Sequence, residues 1–308
     1  MTDDNAAPAA DTTRCGFVAL IGAPNVGKST LVNALVGSKV TIVSRKVQTT
    51  RALIRGIVIE NGAQIILVDT PGIFAPKRRL DRAMVSTAWS GAHDADLVCV
   101  LIDARAGIDE EADAILSRLA RVGHPKILVL NKIDLVAREK LLALAKAANE
   151  RLPFEGTFMV SALSGDGVDD LRRTLAAMVP TGPFHYPEDQ MSDAPMRHLA
   201  AEITREKIYR QLHQELPYQS TVETDSWTKR KDNSVRIEQT IFVERESQRK
   251  IVLGKGGATI KSIGADARKE IAEILGVPVH LFLFVKVREN WGDDPERYRE
   301  MGLEFPKE

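Results

Sequence analysis

The sequence predicts an α/β domain with a doubly wound, mostly parallel sheet, followed by a smaller α+β domain. Up to residue 180, apolar segments of strand length alternate with segments of helical periodicity, and this order favours parallel strands joined by crossover helices. The stretch Pro180–Pro187 holds three prolines and a glycine, which cannot continue a helix. Beyond it, the predicted order is helix–strand–strand–helix–helix–strand. We therefore expect a disordered tail at 1–14, a first domain at 15–180, a linker at 181–194 and a second domain at 195–308.

Length and composition restrict the class of protein. A chain of 308 residues with 44% hydrophobic residues can fill two cores. Lys plus Arg and Asp plus Glu number 42 each, so a nucleic-acid site would have to be a local basic patch. The two cysteines, Cys15 and Cys99, are too few for a zinc or disulfide framework and are expected to be reduced cytosolic thiols. No apolar run approaches the roughly 20 residues of a membrane span.

The first strand, Phe17–Ile21, leads into the sequence G-A-P-N-V-G-K-S-T, and a predicted helix follows over Lys28–Val36. This is the strand–loop–helix context of a phosphate-binding loop. Its glycines let backbone N–H groups surround an anion, and the helix adds its positive N-terminal end. Lys28 supplies a charge for the terminal phosphates, and Ser29 offers a hydroxyl to Mg²⁺. The predicted phosphate site comprises Gly22, Ala23, Pro24, Asn25, Val26, Gly27, Lys28, Ser29 and Thr30.

A second motif, D-T-P-G-I, follows the predicted edge strand Ile54–Glu60 and the strand Gln64–Val68. An acid at the end of a strand can hold the water shell of Mg²⁺, and the glycine N–H can point at a terminal phosphate. The motif adds Asp69, Thr70, Pro71, Gly72 and Ile73 to the predicted nucleotide site. Between the first helix and the edge strand, the polar and basic segment 37–51 is expected to be a mobile loop.

The motif N-K-I-D follows the strand Lys126–Leu130 and predicts a guanine site. Asp134 can accept hydrogen bonds from N1–H and the exocyclic amine of guanine, a pair that adenine cannot supply. Asn131 can connect this loop to the phosphate loop, and the Lys132 stem can cover the base. After the strand Thr157–Val160, the N–H of Ala162 could meet the guanine O6. The segment adds Ser161, Ala162 and Leu163 to the predicted site.

One position departs from the expected pattern. The order of motifs resembles that of translation-factor-like small GTPases, many of which place a glutamine directly after D-x-x-G to orient the attacking water. Ile73 occupies that position here and cannot hydrogen-bond to water. Hydrolysis is therefore either slow or assisted by another group. Asn25 is a candidate ligand for K⁺ beside the phosphates, and the alternative is that its side chain only stabilises the loop.

The second domain contains I-V-L-G-K-G-G-A-T-I-K, which resembles a KH RNA-binding module. The G-x-x-G turn would let an RNA backbone approach closely. From Arg245 to Lys269 there are seven basic residues against two acids, so positive charge is focused around the turn. Trp291 either fills the core or stacks on a base. The predicted RNA-binding residues are Arg249, Lys250, Gly254, Lys255, Gly256, Gly257, Lys261 and Arg268.

From about Cys15 to its end, the chain resembles the Era family of bacterial ribosome-assembly GTPases. The resemblance rests on G-A-P-N-V-G-K-S-T-L-V-N-A-L-V-G, V-S-R-K-V-Q-T-T-R, D-T-P-G-I, N-K-I-D, S-A-L-S-G-D-G-V-D-D-L, I-V-L-G-K-G-G-A-T-I-K-S-I-G and V-K-V-R-E-N-W. It implies a P-loop GTPase domain followed by a type II KH domain. It also implies that Thr50 reaches Mg²⁺ only when the γ-phosphate is present. With this implied role of Thr50, the predicted metal ligands are Ser29, Thr50 and Asp69, and the predicted catalytic residues are Lys28, Thr50, Gly72 and Asn25.

The resemblance further implies the partners. These are GTP and GDP, the 3′ end of 16S ribosomal RNA and the 30S ribosomal subunit, with a cytoplasmic protein that associates peripherally with the inner membrane. We expect a monomer and slow intrinsic hydrolysis. Two alternatives remain open at this point: a GTPase that modifies or binds a different RNA, and an RNA-binding scaffold that holds a structural nucleotide.

Overall fold

The computed structural model describes residues 13–213, 216–289, 291 and 294–306. The first sheet consists of β1 (Arg14–Ile21), β2 (Ile54–Glu60), β3 (Ala63–Asp69), β4 (Leu97–Asp103), β5 (Lys126–Asn131) and β6 (Gly156–Val160). Their spatial order is β2-β3-β1-β4-β5-β6. Only β2 runs antiparallel to its neighbour, as expected for an edge strand. The mostly parallel sheet predicted from the sequence is confirmed.

Five helices cover this sheet: α1 (Lys28–Val36), α2 (Arg79–Asp94), α3 (Glu110–Leu119), α4 (Arg138–Arg151) and α5 (Val168–Met178). The central strands β1, β3 and β4 are apolar and buried on both faces, because helices pack on both sides of a doubly wound sheet. All the predicted nucleotide motifs follow strand carboxyl ends, where such folds bind ligands.

The sequence pattern predicted no element for residues 74–96, where the structure has α2. Its apolar residues, among them Leu80, Met84 and Trp89, form one buried face. The helix begins without a Ser, Thr, Asp or Asn at its first position. Instead, Asp81 accepts hydrogen bonds from the backbone N–H groups of Lys77 and Arg78, which stabilises the first turn.

The N-terminal boundary also differs from the prediction. The strand β1 begins at Arg14 rather than Phe17, because Arg14 pairs with Ala63 of β3 and with Thr181. The Arg14 guanidinium donates to the carbonyl of Val179 at 2.7 Å. Residue 14, which we placed in the tail, is therefore part of the sheet. Thr13 is held too, since its hydroxyl donates to the Gly182 carbonyl at 2.9 Å. Residues 1–12 of the predicted tail lie outside the described residues.

The second sheet consists of β7 (Ser220–Lys229), β8 (Val235–Val243) and β9 (Val279–Val287) in that spatial order. Strands β7 and β8 are antiparallel, and β8 and β9 are parallel. The helices are α6 (Met196–Gln211), α7 (Glu246–Leu253), α8 (Ala258–Leu275) and α9 (Pro295–Glu300). Buried apolar residues of α6 and α8, including Ile203 and Ala267, pack against Ile237 of the sheet. This arrangement agrees with the predicted helix–strand–strand–helix–helix–strand order.

The segment 37–51, predicted to be a mobile loop, packs between the two domains. Ile42 is buried in the core of the second domain, and Thr50 and Arg51 are 8% and 3% exposed. The physical reason is that α6 supplies hydrogen-bond partners for the loop, which the sequence pattern does not reveal. Trp291 is buried with Leu80 and Met84 of α2. Its side chain therefore fills the core and is not exposed for stacking on a base. Within the described part of the chain, no helix is long and apolar enough to cross a membrane.

Candidate nucleotide and RNA sites

The phosphate loop, residues 22–27, connects β1 to α1 and lies against the N-K-I-D segment. Gly27 has a φ angle of +99°. A Cβ atom at this position would lie 2.3 Å from the Asn131 side-chain nitrogen. Only glycine satisfies both the backbone conformation and the close approach. The loop is therefore held against the predicted base site by direct contact.

Lys28 is buried at the start of α1 with its ammonium group turned toward the loop. The Nζ atom donates to the carbonyls of Gly22 at 3.1 Å and Ala23 at 3.0 Å. Burial lowers the pKa of Lys28 to about 8, although the nearby Asp69 carboxylate opposes this shift. An incoming phosphate would offer the charged form a far better partner than two carbonyls.

Four oxygen-bearing side chains converge beside Lys28. Ser29 Oγ and Thr50 Oγ1 share a hydrogen bond of 2.8 Å. The Oδ2 atom of Asp69 accepts hydrogen bonds from Thr41 at 2.9 Å and Thr50 at 3.3 Å. Burial raises the pKa of Asp69 above its usual range, although hydrogen bonds from Ser29 and the charge of Lys28 oppose this shift.

These side chains fit a magnesium ion. The Oδ1 atom of Asp69 is buried and has no hydrogen-bond partner among the described residues. Hydroxyl and carboxylate oxygens are the ligands that Mg²⁺ prefers, and it is usually held by one or two carboxylates together with phosphates and water. Within the described ranges, no cluster of three or more His, Cys, Asp or Glu residues forms a self-sufficient metal site. Thr41 was missed by the sequence analysis, because a threonine in a polar loop has no distinguishing pattern.

Asn131, at the end of β5, joins three of the predicted motifs. Its Nδ2 group donates to the carbonyl of Val26 at 2.8 Å, and its Oδ1 atom accepts from the N–H of Ala162 at 3.0 Å. The Ala162 N–H, which we expected at guanine O6, is thus bonded to Asn131 in this structure. Lys132 adopts a left-handed conformation with φ of +66°. Its Nζ atom contacts the Asn25 carbonyl and lies 2.7 Å from Asp103 Oδ2.

The other predicted nucleotide residues surround these contacts. Ile73 packs into the core and its N–H donates to Gly22 at 3.1 Å, so its side chain cannot orient water. The Thr70 hydroxyl donates to the Leu20 carbonyl at 2.6 Å. The structure buries Gly22, Ala23, Val26, Thr70, Pro71, Ile73, Ser161 and Ala162, half-buries Pro24, Gly27, Ser29, Thr30, Gly72 and Lys132, and exposes Asn25, Asp134 and Leu163.

The predicted RNA site is a separate, exposed turn between α7 and α8. Gly254 combines a φ of +71° with a ψ of 172°, a region open essentially to glycine alone. Arg249 is half-buried, because it pairs with Glu246 at 2.8 Å and donates to Val285 at 3.3 Å. The structure exposes Lys250, Lys255, Gly256, Lys261 and Arg268, and half-buries Gly254 and Gly257.

An ion cluster joins the loop to the second domain. Lys39 pairs with Glu206 of α6 at 2.9 Å and also with Glu270 of α8, and Lys207 pairs with both acids. Burial alone would raise the pKa of Glu206, but the hydrogen bonds from Lys39, Lys207 and the Val43 N–H hold it below its usual value. The helix that leaves the G-x-x-G turn thus contacts the loop that carries Thr50.

Comparison with known proteins gives the same two-part organisation. A family model described as 50S ribosome-binding GTPase matches residues 17–132, and a KH domain model matches residues 215–292. GTPase Era of Bradyrhizobium diazoefficiens is 86% identical over 308 residues and 100% of both chains. GTPase Era of Sinorhizobium medicae is 67% identical over 310 residues, again covering both chains fully.

Two solved structures share the whole architecture. One is a crystal structure of Era in complex with MgGDPNP and nucleotides 1506–1542 of 16S ribosomal RNA, with a TM-score of 0.89 and 38% identity. The other is Aquifex aeolicus Era Y63A bound to GDP·AlF4⁻, with the same TM-score and identity. Each comparison covers 94% of this chain and 99% of the other chain.

Proposed function

The chain belongs to the Era family of GTPases, and we propose that it binds and hydrolyses GTP at the strand ends of the first domain while its second domain binds the 3′ end of 16S ribosomal RNA during 30S assembly. The observation that supports this most is the convergence of Lys28, Ser29, Thr50 and Asp69 at one point. A solved relative at 38% identity is in complex with a GTP analogue, magnesium and this RNA region.

In this proposal, Ser29, Thr50 and Asp69 would hold Mg²⁺, and the ion would neutralise charge on the terminal phosphates. Lys28 transfers its hydrogen bonds from the Gly22 and Ala23 carbonyls to phosphate oxygens. The N–H of Gly72 would donate to the third phosphate, and Asp134 would accept hydrogen bonds from the guanine edge. Thr50 lies on the loop rather than in the rigid sheet, so it is the group whose position can depend on the third phosphate.

The hydrolysis step lacks the usual water-orienting glutamine, since Ile73 is buried in the core. We propose that intrinsic hydrolysis is slow and that K⁺ near Asn25 supplies part of the missing positive charge. Asn25 is exposed and has a φ of +61°, which leaves its side chain accessible at the mouth of the loop. The protein would lower the barrier mainly by positioning the phosphates and their counter-charges.

For the second domain, we propose that RNA lies along the Gly254–Gly257 turn, with Lys255 and Lys261 near its backbone. A GTPase that modifies RNA covalently is less well supported, because the second domain contains no cysteine and both cysteines of the first are buried. From the family resemblance, we also propose a cytoplasmic monomer that associates peripherally with the inner membrane.

The test is single-turnover GTP hydrolysis with and without a single-stranded RNA of the 16S 3′-end sequence, in K⁺ and in Na⁺. We expect slow hydrolysis by the free protein, faster hydrolysis with RNA, and a further increase in K⁺. A scrambled RNA of equal length controls for charge alone. A protein that binds GTP but does not hydrolyse it under any condition would be a scaffold with a structural nucleotide. Equal stimulation by both RNAs would point to a different RNA target.

A further inference from the structure

Two consecutive residues connect the nucleotide site to the second domain. The Thr50 hydroxyl lies 2.8 Å from Ser29 Oγ and 3.3 Å from Asp69 Oδ2 in the first domain. The Arg51 side chain points the other way and ends in the second domain. Because adjacent Cα atoms are about 3.8 Å apart, a backbone movement that displaces one of these residues also displaces the other.

Arg51 occupies a defined site, which we name the Arg51 site and which comprises Tyr209, Pro217, Tyr218, Ser220 and Trp291. The guanidinium donates to the Tyr209 hydroxyl at 2.9 Å and to the carbonyls of residues 217, 218 and 220 at 3.3, 3.1 and 2.9 Å. Its Cζ atom lies 5.9 Å from the Tyr209 ring centroid and 5.5 Å from that of Trp291. Arg51 is only 3% exposed.

Helix α6, which carries Tyr209, also holds the backbone on the N-terminal side of Thr50. Arg205 of α6 donates to the Thr49 carbonyl, and its Cζ lies 5.2 Å from the Tyr209 ring centroid. The Tyr209 hydroxyl donates to the Gln48 carbonyl at 3.3 Å. Gln48 has a φ of +58°, an unfavourable conformation for a residue other than glycine that its surroundings must maintain. Contacts from one helix therefore fix the chain on both sides of Thr50.

A buried guanidinium has no stable intermediate position between this site and solvent. Partial withdrawal would leave the charge desolvated and its carbonyl partners unpaired, and both are costly. The side chain is therefore stable either fully inserted or fully in water, which is the behaviour of a two-state element. A lysine cannot replace it, because one ammonium cannot reproduce the planar fork that reaches several carbonyls between two rings.

We propose that Arg51 is a positioning residue for the GTP-bound state: its insertion into the Arg51 site holds Thr50 where Mg²⁺ and the third phosphate require it. The second domain thereby stabilises the GTP-competent loop within the same chain. This inference rests on the proposed function, since it requires the site of Ser29, Thr50 and Asp69 to bind Mg²⁺ and GTP. By linkage, a third phosphate that holds Thr50 also favours the inserted state of Arg51.

The test uses the full chain and measures dissociation constants for a non-hydrolysable GTP analogue and for GDP, both with Mg²⁺. We expect Arg51→Ala to weaken binding of the analogue about tenfold, within the usual range of coupling between sites, while GDP binding changes less than about twofold. Arg51→Lys should not restore the analogue affinity. Tyr209→Phe should shift it less and in the same direction. Arg45→Ala, an exposed arginine of the same loop, is the matched control and should bind both nucleotides normally.

A double-mutant cycle with Thr50→Ala tests whether Arg51 acts through Thr50. If it does, the double variant Thr50→Ala/Arg51→Ala binds the analogue no more weakly than Thr50→Ala alone. Additive losses, or an equal loss of GDP and analogue binding by Arg51→Ala, would overturn the proposal by showing a general structural role. If Arg51→Ala does not fold, Tyr209→Phe combined with Thr50→Ala provides the same cycle.

The experiment separates this inference from the proposed function. Wild-type protein that binds neither nucleotide would refute the function and the inference together. Wild-type protein that binds both, with Arg51→Ala indistinguishable from it, would refute only the role of Arg51. A loss confined to the GTP analogue supports both.

Discussion

The phosphate end of the nucleotide site and the G-x-x-G turn place their charged groups in opposite environments. In the nucleotide site, Lys28 and Asp69 are 6% and 0% exposed, and the charge of the Asp69 carboxylate acts on that of Lys28. At the turn, Lys255, Lys261 and Arg268 are exposed to solvent. Charges act strongly over fixed short distances in a desolvated site, whereas exposed charges are screened and contribute in small increments. We therefore expect single substitutions to have large effects at the first site and graded effects at the second.

The largest expected effect is the exchange of base preference by Asp134→Asn. A site built to pair with a specific donor set rejects the mismatched ligand by about 10⁴-fold. We expect GTP affinity to fall by that order and xanthosine triphosphate affinity to rise correspondingly, as measured by competition binding. Glu139→Gln, an exposed acid in the first turn of α4, is the control. Unchanged GTP binding by Asp134→Asn would show that the base lies elsewhere.

Lys28→Met should remove nucleotide binding and yet stabilise the nucleotide-free protein. The folded pKa of Lys28 is about 8, below its ordinary 10.5, so the unfolded chain binds more protons between these pH values. Stability of the wild type therefore rises as pH increases from about 8 to 10.5, and below pH 8 the buried charge costs about 1–3 kcal/mol. Urea unfolding of the wild type and of Lys28→Met at several pH values measures the stability of each protein and its dependence on pH.

The difference in stability between Lys28→Met and the wild type, followed across pH, tests this expectation. Lys28→Met should be more stable than wild type at pH 7, with the difference shrinking toward pH 10. A variant that is less stable than wild type at every pH would mean that the ammonium group stabilises the empty loop, and the assignment of a poised, desolvated charge would be wrong.

At the turn, Gly254→Ala should weaken RNA binding about tenfold and leave GTP binding unchanged. A Cβ at this position would lie 2.2 Å from the Thr259 hydroxyl oxygen. In addition, this backbone conformation costs a residue other than glycine about 1–3 kcal/mol. Gly276→Asn, at the far end of α8, is the matched control, because its φ of +65° and ψ of 15° suit asparagine and a Cβ there has open space. Equal RNA affinity for the two variants would place the RNA groove elsewhere; filter binding or fluorescence anisotropy would measure it.

The smallest effect is expected for Lys255→Ala. One exposed charge that contacts a single-stranded backbone changes affinity about threefold and lowers the slope of log affinity against log salt by about 0.7. Titrations at several salt concentrations give the slope. Lys140→Ala, an exposed lysine on α4 of the first domain, should leave it unchanged. A tenfold loss with Lys255→Ala would contradict the contrast between the two sites.

The sequence predicted those elements that a local residue pattern defines. Among the elements, Lys28–Val36 and Ile54–Glu60 are confirmed to the residue. Apolar periodicity and Gly- or Pro-containing boundaries define these segments. The missed helix α2 begins with a polar, basic first turn in which the stabilising acid, Asp81, lies inside the helix rather than before it.

The contacts of Arg51, Thr41 and Lys39 could not be predicted in the same way. The partners of Arg51 lie more than 150 residues further along the chain, and no periodicity reports a contact of that kind. A basic, hydroxyl-rich segment is the pattern of a solvated loop, and the contacts with α6, α8 and residues 217–220 that hold 37–51 come from far along the chain. Motifs indicated the chemistry of each site, and the connection between the sites appears only in the three-dimensional contacts.

The most direct test of the account is the affinity of the full chain for the 16S 3′-end RNA in three states: without nucleotide, with GDP, and with a non-hydrolysable GTP analogue. The loop that holds Thr50 contacts both domains, so we predict that the GTP analogue changes RNA affinity by about 5- to 150-fold relative to GDP. Identical RNA affinities in all three states would contradict the account, because the third phosphate would then have no influence on the second domain.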